Sequence, residues 1–287
     1  MTTISSEKPT FNQILDKSAS AAMRGGFAGG AAMCVNIGCL MWLRTTMNYQ
    51  YRYGTSMSKT LKTLYNDGGI GRFYRGVGPA LIQGPMSRFG DTAANTGIIT
   101  FMNSYDETRN LPITVKTIAA SISAASFRIL LMPIDACKTN MQVEGSMRPL
   151  IKKLKTHGPR VLFNGSIASA SATFAGHYPW FATYNFLSEK IPVQEYRLLE
   201  LSRLAGIGFS ASVISDTVSN SIRVVKVYKQ AETEQISYNT IVSRIVAKDG
   251  IYGLMFRGLE TKIVANGISG IIFSIAWKHF SELLNTP

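Results

Sequence analysis

Charged side chains are scarce in this sequence. Asp, Glu, Lys and Arg make up 16% of its 287 residues, whereas soluble domains carry about 25%. The sequence has only three histidines and three cysteines, and Cys34, Cys39 and Cys137 lack the spacing of a metal site or a paired framework. It also lacks a nucleophile elbow and a phosphate loop. We therefore expect a protein that is not an enzyme and that needs no metal or other catalytic cofactor.

The charge that is present is mostly positive, with 30 Lys and Arg against 17 Asp and Glu and a net charge of +13. Such a balance is typical of proteins that bind nucleic acid or an anionic membrane surface. No basic cluster is interleaved with aromatic residues, which disfavours nucleic acid. The polar residues 1–18 do not have the composition of a signal or transit peptide. With 46% hydrophobic residues, the chain is predicted to be a membrane protein.

Six apolar segments approach the length of about 20 residues that crosses a bilayer. Several contain ionisable residues such as Arg88, Arg128 and Asp216. A single membrane anchor would not tolerate these residues, but helices that line a shared polar cavity would. The segments cover residues 20–43, 77–103, 112–137, 166–189, 200–225 and 259–284.

The connections between these segments differ in charge. The three long ones, 44–75, 138–164 and 226–257, are rich in Lys and Arg, whereas the two short ones are nearly balanced. By the positive-inside rule, connections rich in Lys and Arg lie on the inner side of a membrane. The long connections are therefore predicted to share one side of the membrane and both termini to lie on the other.

The chain also repeats itself. The stretches "GRFYRG", "RVLFNG" and "GLMFRG" place Arg75, Asn164 and Arg257 at intervals of 89 and 93 residues. A second frame starts at "CLMWLR", "PIDACK" and "SIRVVK" and has intervals of 94 and 88 residues. Two separate landmarks thus give one period near 90 residues, which predicts three structural repeats. We assign them to residues 19–108, 109–196 and 197–287, after a polar tail of residues 1–18.

These motifs resemble those of the mitochondrial carrier family, along nearly the full length of the chain. The family motif is Pro-x-[Asp/Glu]-x-x-[Lys/Arg] at the end of each odd helix, followed by glycine and aromatic-Arg-Gly elements. "PIDACK" is complete, while the other two copies keep only the frame. The resemblance implies an all-α membrane protein with six tilted transmembrane helices and a short matrix helix in each of three pseudo-symmetric repeats. It also implies solute exchange across the inner mitochondrial membrane, with both termini toward the intermembrane space.

The resemblance further implies a gate on the matrix side. A proline kinks each odd helix inward, and the acid of one copy pairs with the base of the next. Here Pro133 is the one kink proline in the three frames, and Asp135 is expected to pair with Lys226. Lys138 would instead face Met41 and stay unpaired. Arg44 would face Arg223, a contact between like charges.

A substrate would bind at the centre of the cavity. Arg88 and His177 lie twelve residues after landmark glycines, while Arg128 and Asp216 precede the motif by five residues. We predict that Arg88, Arg128 and His177 hold an anion, with Asp91 and Asp216 as neighbours or as a site for an amino group. Two structural ion pairs, Arg88–Asp91 and Arg128–Asp216, are the alternative.

The resemblance implies cardiolipin as a bound lipid, at the amide-rich ends of the matrix and even helices. The glycines at matching positions are Gly71, Gly76, Gly165, Gly253 and Gly258. Two functions stay open. The first is a solute carrier that exchanges a small anionic metabolite by alternating access. The second is a carrier-fold protein that no longer cycles and serves as a structural, cardiolipin-binding subunit of a larger inner-membrane assembly, such as a respiratory-chain complex.

Overall fold

The computed structural model describes residues 11–285, without the side chains of 11–29, 92–96, 277–279, 281–285 and five single positions (100, 106, 113, 114 and 274). Within that range every regular element is a helix, and no strand occurs. A 3₁₀ helix covers Pro159–Phe163. The α-helices are α1 (Phe11–Tyr53), α2 (Met57–Phe73), α3 (Val77–Ser104), α4 (Asp106–Arg109), α5 (Ile113–Leu130), α6 (Met132–Glu144), α7 (Arg148–His157), α8 (Ser166–Lys190), α9 (Arg197–Ala231), α10 (Tyr238–Phe256) and α11 (Leu259–Asn285).

The long helices form a closed ring. Helix α1 contacts α3 and α11, α5 lies between α3 and α8, and α9 contacts both α8 and α11. The shorter helices α2, α7 and α10 pack against α1, α6 and α9 respectively. The all-helical arrangement is consistent with the carrier fold. Helix α1 already begins at Phe11, within the segment assigned to a polar tail, while residues 1–10 lie outside the described range.

Crossing of a membrane by all six long segments stays a prediction. Among the described residues, α9 alone is a single helix that is long and apolar enough to span a bilayer. The bent pair of α5 and α6 passes the same test if it is counted as one span. Over their described residues the other long helices do not meet this test, and they carry glycine, serine and charged residues.

The three odd segments differ in continuity. Helices α1 and α9 run unbroken for 43 and 35 residues. The corresponding segment of the second repeat divides at Leu131, and α5 and α6 meet at an angle of 64°. Pro133 lies at the start of α6, where it has no backbone N–H to continue the ladder of α5. The break therefore coincides with the complete motif, and the frames that lack proline at Cys39 and Ser221 lie in continuous helices.

A left-handed glycine precedes each even helix. Gly76, Gly165 and Gly258 have φ values of +93°, +85° and +66°, which favour glycine. Each of them packs against the odd helix of the next repeat. A Cβ atom would lie 3.0 Å from the Lys138 carbonyl at Gly76 and 3.2 Å from the Lys226 carbonyl at Gly165. Both the turn and the close contact between repeats therefore require glycine.

The outer surface of the ring is apolar. Many large hydrophobic side chains are exposed on the long helices, well beyond the few that a soluble monomer shows. This distribution fits a lipid-facing surface. Prominent members are Leu130, Phe174, Phe186, Leu201, Ile214, Ile271 and Ile275.

Candidate functional site: a charged cavity inside the helix ring

The interior of the ring holds a cavity of about 410 Å³, lined by residues of all six long segments. A second cavity of about 380 Å³ adjoins it and extends to His177, Trp180 and Phe181 on α8. The two cavities have Arg88, Asp91, Arg128 and Arg223 in common. We therefore treat them as one polar interior.

Positive charge exceeds negative charge in this interior. Seven Lys and Arg side chains line the larger cavity, against three carboxylates. Walls of one predominant charge attract counter-ions of the opposite sign. The cations are Arg44, Arg88, Arg128, Lys138, Arg223, Lys226 and Lys262, and the carboxylates are Asp91, Asp135 and Asp216.

One buried carboxylate holds two lysines at the level of the expected gate. Asp135 is 4% exposed, and its two oxygens lie 2.6 Å from Lys138 Nζ and 2.6 Å from Lys226 Nζ. The expected pair between Asp135 and Lys226 is therefore formed. The expectation that Lys138 stays unpaired is wrong, because it shares Asp135 and also donates to Gln83 at 3.0 Å.

Arg44 and Arg223 each bond within their own helix. Arg44 donates to Asn36 Oδ1 at 2.8 Å, and Arg223 donates to Ser219 Oγ at 3.2 Å. Their expected mutual contact is not among the described interactions, although both side chains line the larger cavity. The third frame position, Met41, is fully buried against apolar neighbours and carries no charge.

A layer of amides lies one turn beyond the ion pair. Asn48, Gln142 and Gln230 each follow the motif frame by nine residues. Asn48 donates to Gln142 Oε1 at 2.6 Å, and Gln230 donates to Asp135 Oδ2 at 3.0 Å. The motif pattern alone did not predict this layer, although its members share one position in all three frames.

The predicted anion site is only partly free of counter-charge. Arg128 Nη2 lies 2.7 Å from Asp91 Oδ2, so its charge is compensated. His177 shares a hydrogen bond of 2.7 Å with Ser121 Oγ. The guanidinium of Arg88 lies 5.3 Å from the centre of the Phe273 ring, which is a cation–π distance.

Both alternative structural pairs are wrong. Asp91 binds Arg128 of α5 and not Arg88, and Asp216 binds Lys262, with Nζ 2.6 Å from Oδ1. Asp216 also accepts a hydrogen bond from Asn266. Sequence reasoning missed Lys262, although a lysine four residues after Gly258 in an apolar helix was a usable signal.

Cations of the short helices cap the odd helix of the next repeat. The buried Arg72 of α2 donates to the carbonyls of Gln142 and Val143 at 2.9 and 2.8 Å. Lys153 of α7 donates to the Gln230 carbonyl at 2.8 Å, and Lys248 of α10 reaches the Tyr53 carbonyl at 3.0 Å. A cation at a helix C-terminus also stabilises the helix dipole. Burial lowers the pKa of Lys153 to about 8.

The glycines expected at lipid sites occupy two kinds of position. Gly76, Gly165 and Gly258 are at repeat contacts, as described above. Gly71 is exposed in α2, and Gly253 is buried in α10. Their role in cardiolipin binding stays a prediction, supported by the amide groups at the adjacent helix N-termini. Within the described residues, no group of three or more His, Cys, Asp or Glu could hold a metal ion.

Part of the chain is similar to known proteins. Residues 109–194, the second repeat, match the family model described as mitochondrial carrier protein. Over 142 residues the chain is 30% identical to the mitochondrial carrier-like protein L276 of Acanthamoeba polyphaga mimivirus, covering 50% of this chain and 55% of the viral protein. The chain thus spans about half the length of the curated relative it matches. Both matches confirm the resemblance that the motifs suggested.

Proposed function

On the premise that these matches support, namely membership of the mitochondrial carrier family, we propose that the chain is a solute carrier of the inner mitochondrial membrane. It exchanges a small anionic metabolite by alternating access. The six long segments cross the membrane, the short helices α2, α7 and α10 lie on the matrix side, and both termini lie toward the intermembrane space. Cardiolipin binds at the N-termini of the even helices.

The excess of cations in the interior is the observation that carries this proposal. Seven cations face three carboxylates in the larger cavity, and a charge excess of this kind attracts anionic solutes. The Lys138–Asp135–Lys226 group lies in the same cavity and is partly accessible to water. It can therefore separate and re-form, as alternating access requires.

Exchange in liposomes tests the proposal. The full-length protein is reconstituted with cardiolipin, and uptake of labelled carboxylates, nucleotides and amino acids is measured against the same compound inside. We expect saturable exchange of an anion and strong loss of uptake in Arg88→Gln. Arg109→Gln is the matched control, because it removes one arginine from the exposed helix α4. Absence of exchange of every compound would contradict the proposal.

A static structural role is the second candidate, and one observation favours it. Two of the three acid positions of the gate hold Met41 and Arg223, and the buried Met41 packs in an apolar cluster with Ile37 and Ala80. A gate with a single acid closes less firmly than a complete one. A protein of this kind would bind cardiolipin and partner subunits through its outer surface without moving solutes.

Gentle purification separates the two candidates. A carrier is expected to migrate alone and to exchange anions, whereas a structural subunit is expected to remain in a stoichiometric membrane complex. The substitutions Met41→Glu and Arg223→Asp add acids to the gate. They change the exchange rate of a carrier several-fold but leave a static subunit and its assembly unchanged.

A further inference from the structure

Three arginines of the interior lack a carboxylate partner in the part of the chain that the structure describes. We propose that Arg44, Arg88 and Arg223 form a binding site for an anion with at least two carboxylate or phosphoryl groups. This ligand supplies the negative charge that the gate positions lack. The inference rests on the proposed function in one respect, since it takes the cavity to be the place where a solute binds.

The three arginines differ from every other cation of the larger cavity. Arg128, Lys138, Lys226 and Lys262 each lie within 2.7 Å of a carboxylate oxygen, and these pairs use Asp91, Asp135 and Asp216. No further carboxylate lines the cavity among the described residues. Three of the four excess positive charges therefore lie on these guanidinium groups, and the fourth belongs to Lys138 and Lys226, which share Asp135.

Among the described side chains, the groups that contact these guanidinium groups are neutral. Arg44 bonds to the amide of Asn36, Arg223 bonds to a hydroxyl, and Arg88 lies over an aromatic ring. A guanidinium carries five N–H donors, so most of the donors on each remain available. Arginine binds carboxylate and phosphate with two parallel hydrogen bonds.

The positions of the arginines indicate a ligand with several charges. They belong to three helices, α1, α3 and α9, and they line one cavity of about 410 Å³. That volume lies within the range of small-molecule sites. A ligand with one charge would compensate one arginine and leave two. A ligand with two or three anionic groups reaches arginines on different helices at once.

The site is also part of the gate. Arg44 stands at the base position of the first frame and Arg223 at the acid position of the third. These are the two positions that would form an ion pair in a complete carrier. An anionic group between the two arginines takes the place of the missing carboxylate. Bound ligand should therefore draw α1 and α9 together, which links solute binding to closure of the gate.

The test measures thermal unfolding of the full-length protein in mild detergent with cardiolipin, at constant ionic strength. The carboxylate probes are butyrate, glutarate and tricarballylate, which carry one, two and three carboxyl groups. The phosphate probes are phosphate, pyrophosphate and tripolyphosphate. Stabilisation by a ligand reports its affinity for the folded state. We expect stabilisation to increase with the number of anionic groups in at least one series, and the better series identifies the ligand chemistry.

Substitution of the arginines locates the site. Arg44→Gln, Arg88→Gln and Arg223→Gln are each expected to weaken binding of the best probe about tenfold or more, since each removes a charge-assisted hydrogen bond. Arg109→Gln should leave the affinity unchanged. Equal stabilisation by one-charge and three-charge probes, no stabilisation by any probe, or unchanged affinity in all three cavity variants would overturn the inference.

A further pair of variants tests the link to the gate. Arg223→Glu supplies a carboxylate at the acid position of the third frame, in the cavity that Arg44 also lines, whereas Arg223→Gln only removes a charge. We expect Arg223→Glu to unfold at a higher temperature than Arg223→Gln without ligand and to gain less from the best probe. Equal unfolding temperatures of the two variants, with equal stabilisation by the probe, would contradict a connection between this site and the gate. Binding of the probe without exchange in liposomes would contradict the carrier function and support this anion site. Exchange that does not depend on solute charge would support the carrier function and contradict the anion site.

Discussion

The second repeat differs from the other two in the continuity of its odd segment and in the residue at its acid position. In the second repeat Pro133 divides the odd segment into α5 and α6, and Asp135 follows at the break. In the first and third repeats the segment is one long helix, and the acid position holds Met41 or Arg223. One complete motif can therefore supply the ion pairs of the proposed gate, because Asp135 binds both Lys138 and Lys226.

The largest effect is expected from removal of Asp135, the acid that distinguishes the second repeat from the other two. Asp135→Asn leaves two lysines, each less than one-fifth exposed, without a carboxylate. Removal of one partner from a buried ion pair costs about 3–5 kcal/mol, so the variant should unfold at a markedly lower temperature. Glu234→Gln is the control, because Glu234 is 66% exposed and its pair with Arg244 is worth at most about 1 kcal/mol. Similar losses in the two variants would refute the account.

Moving the proline into the first repeat tests the difference in continuity. Cys39 is exposed and occupies the frame position of Pro133, so Cys39→Pro removes no buried side chain. Proline inside a continuous helix costs about 3 kcal/mol through a lost hydrogen bond and a clash with the preceding turn. Thermal unfolding should show this loss, and Cys39→Ala should not. Unchanged stability in Cys39→Pro would mean that proline does not determine where the odd segments divide.

A glycine substitution tests the left-handed turn that precedes the even helix in all three repeats. Gly165→Ala places a Cβ on a left-handed backbone, 3.2 Å from the Lys226 carbonyl, and should destabilise the protein by about 1–2 kcal/mol. Gly78→Ala is the matched control in α3, where a Cβ meets no atom within 4 Å. It should be neutral or slightly stabilising, because alanine favours a helix. The reverse order of the two unfolding midpoints would argue against tight contacts between repeats.

The smallest expected effect concerns the cap that α7 provides for α9. The pKa of Lys153 is lowered to about 8 in the folded protein, below the usual value of about 10.4. Between these values the unfolded chain holds more protons, so stability rises with pH. The rise should amount to about 1 kcal/mol from pH 8 to 9. Lys153→Met should lose this increment, and equal pH dependence of the two proteins would contradict the assignment.

The sequence predicted the features that depend on spacing along the chain. Pro133 predicted the break between α5 and α6, and the motif frame predicted the Asp135–Lys226 pair. The division into three repeats of about 90 residues stays a prediction. Hydropathy was less informative, because helices that line a polar cavity do not form continuous apolar runs.

Partner choice among the charged residues could not be predicted in the same way. Asp91 could reach Arg88 on its own helix, but it binds Arg128 on the neighbouring α5. Asp216, the alternative partner expected for Arg128, binds Lys262 of α11. These choices depend on the rotation of each helix about its axis. Spacing within one segment does not specify that rotation relative to the next helix.

If the chain is the proposed carrier, Asp135 alone supplies the carboxylate that holds its gate closed. This role of Asp135 is tested by the distance between spin labels at exposed positions 59 and 152, on α2 and α7. The three native cysteines are first replaced by alanine. Double electron–electron resonance then measures the distance distribution in the cysteine-free parent protein and in its Asp135→Asn variant. Both are placed in nanodiscs that contain cardiolipin and no ligand. We predict one short, narrow distance for the parent and a longer, broader distribution for the variant. Identical distributions would contradict the claim.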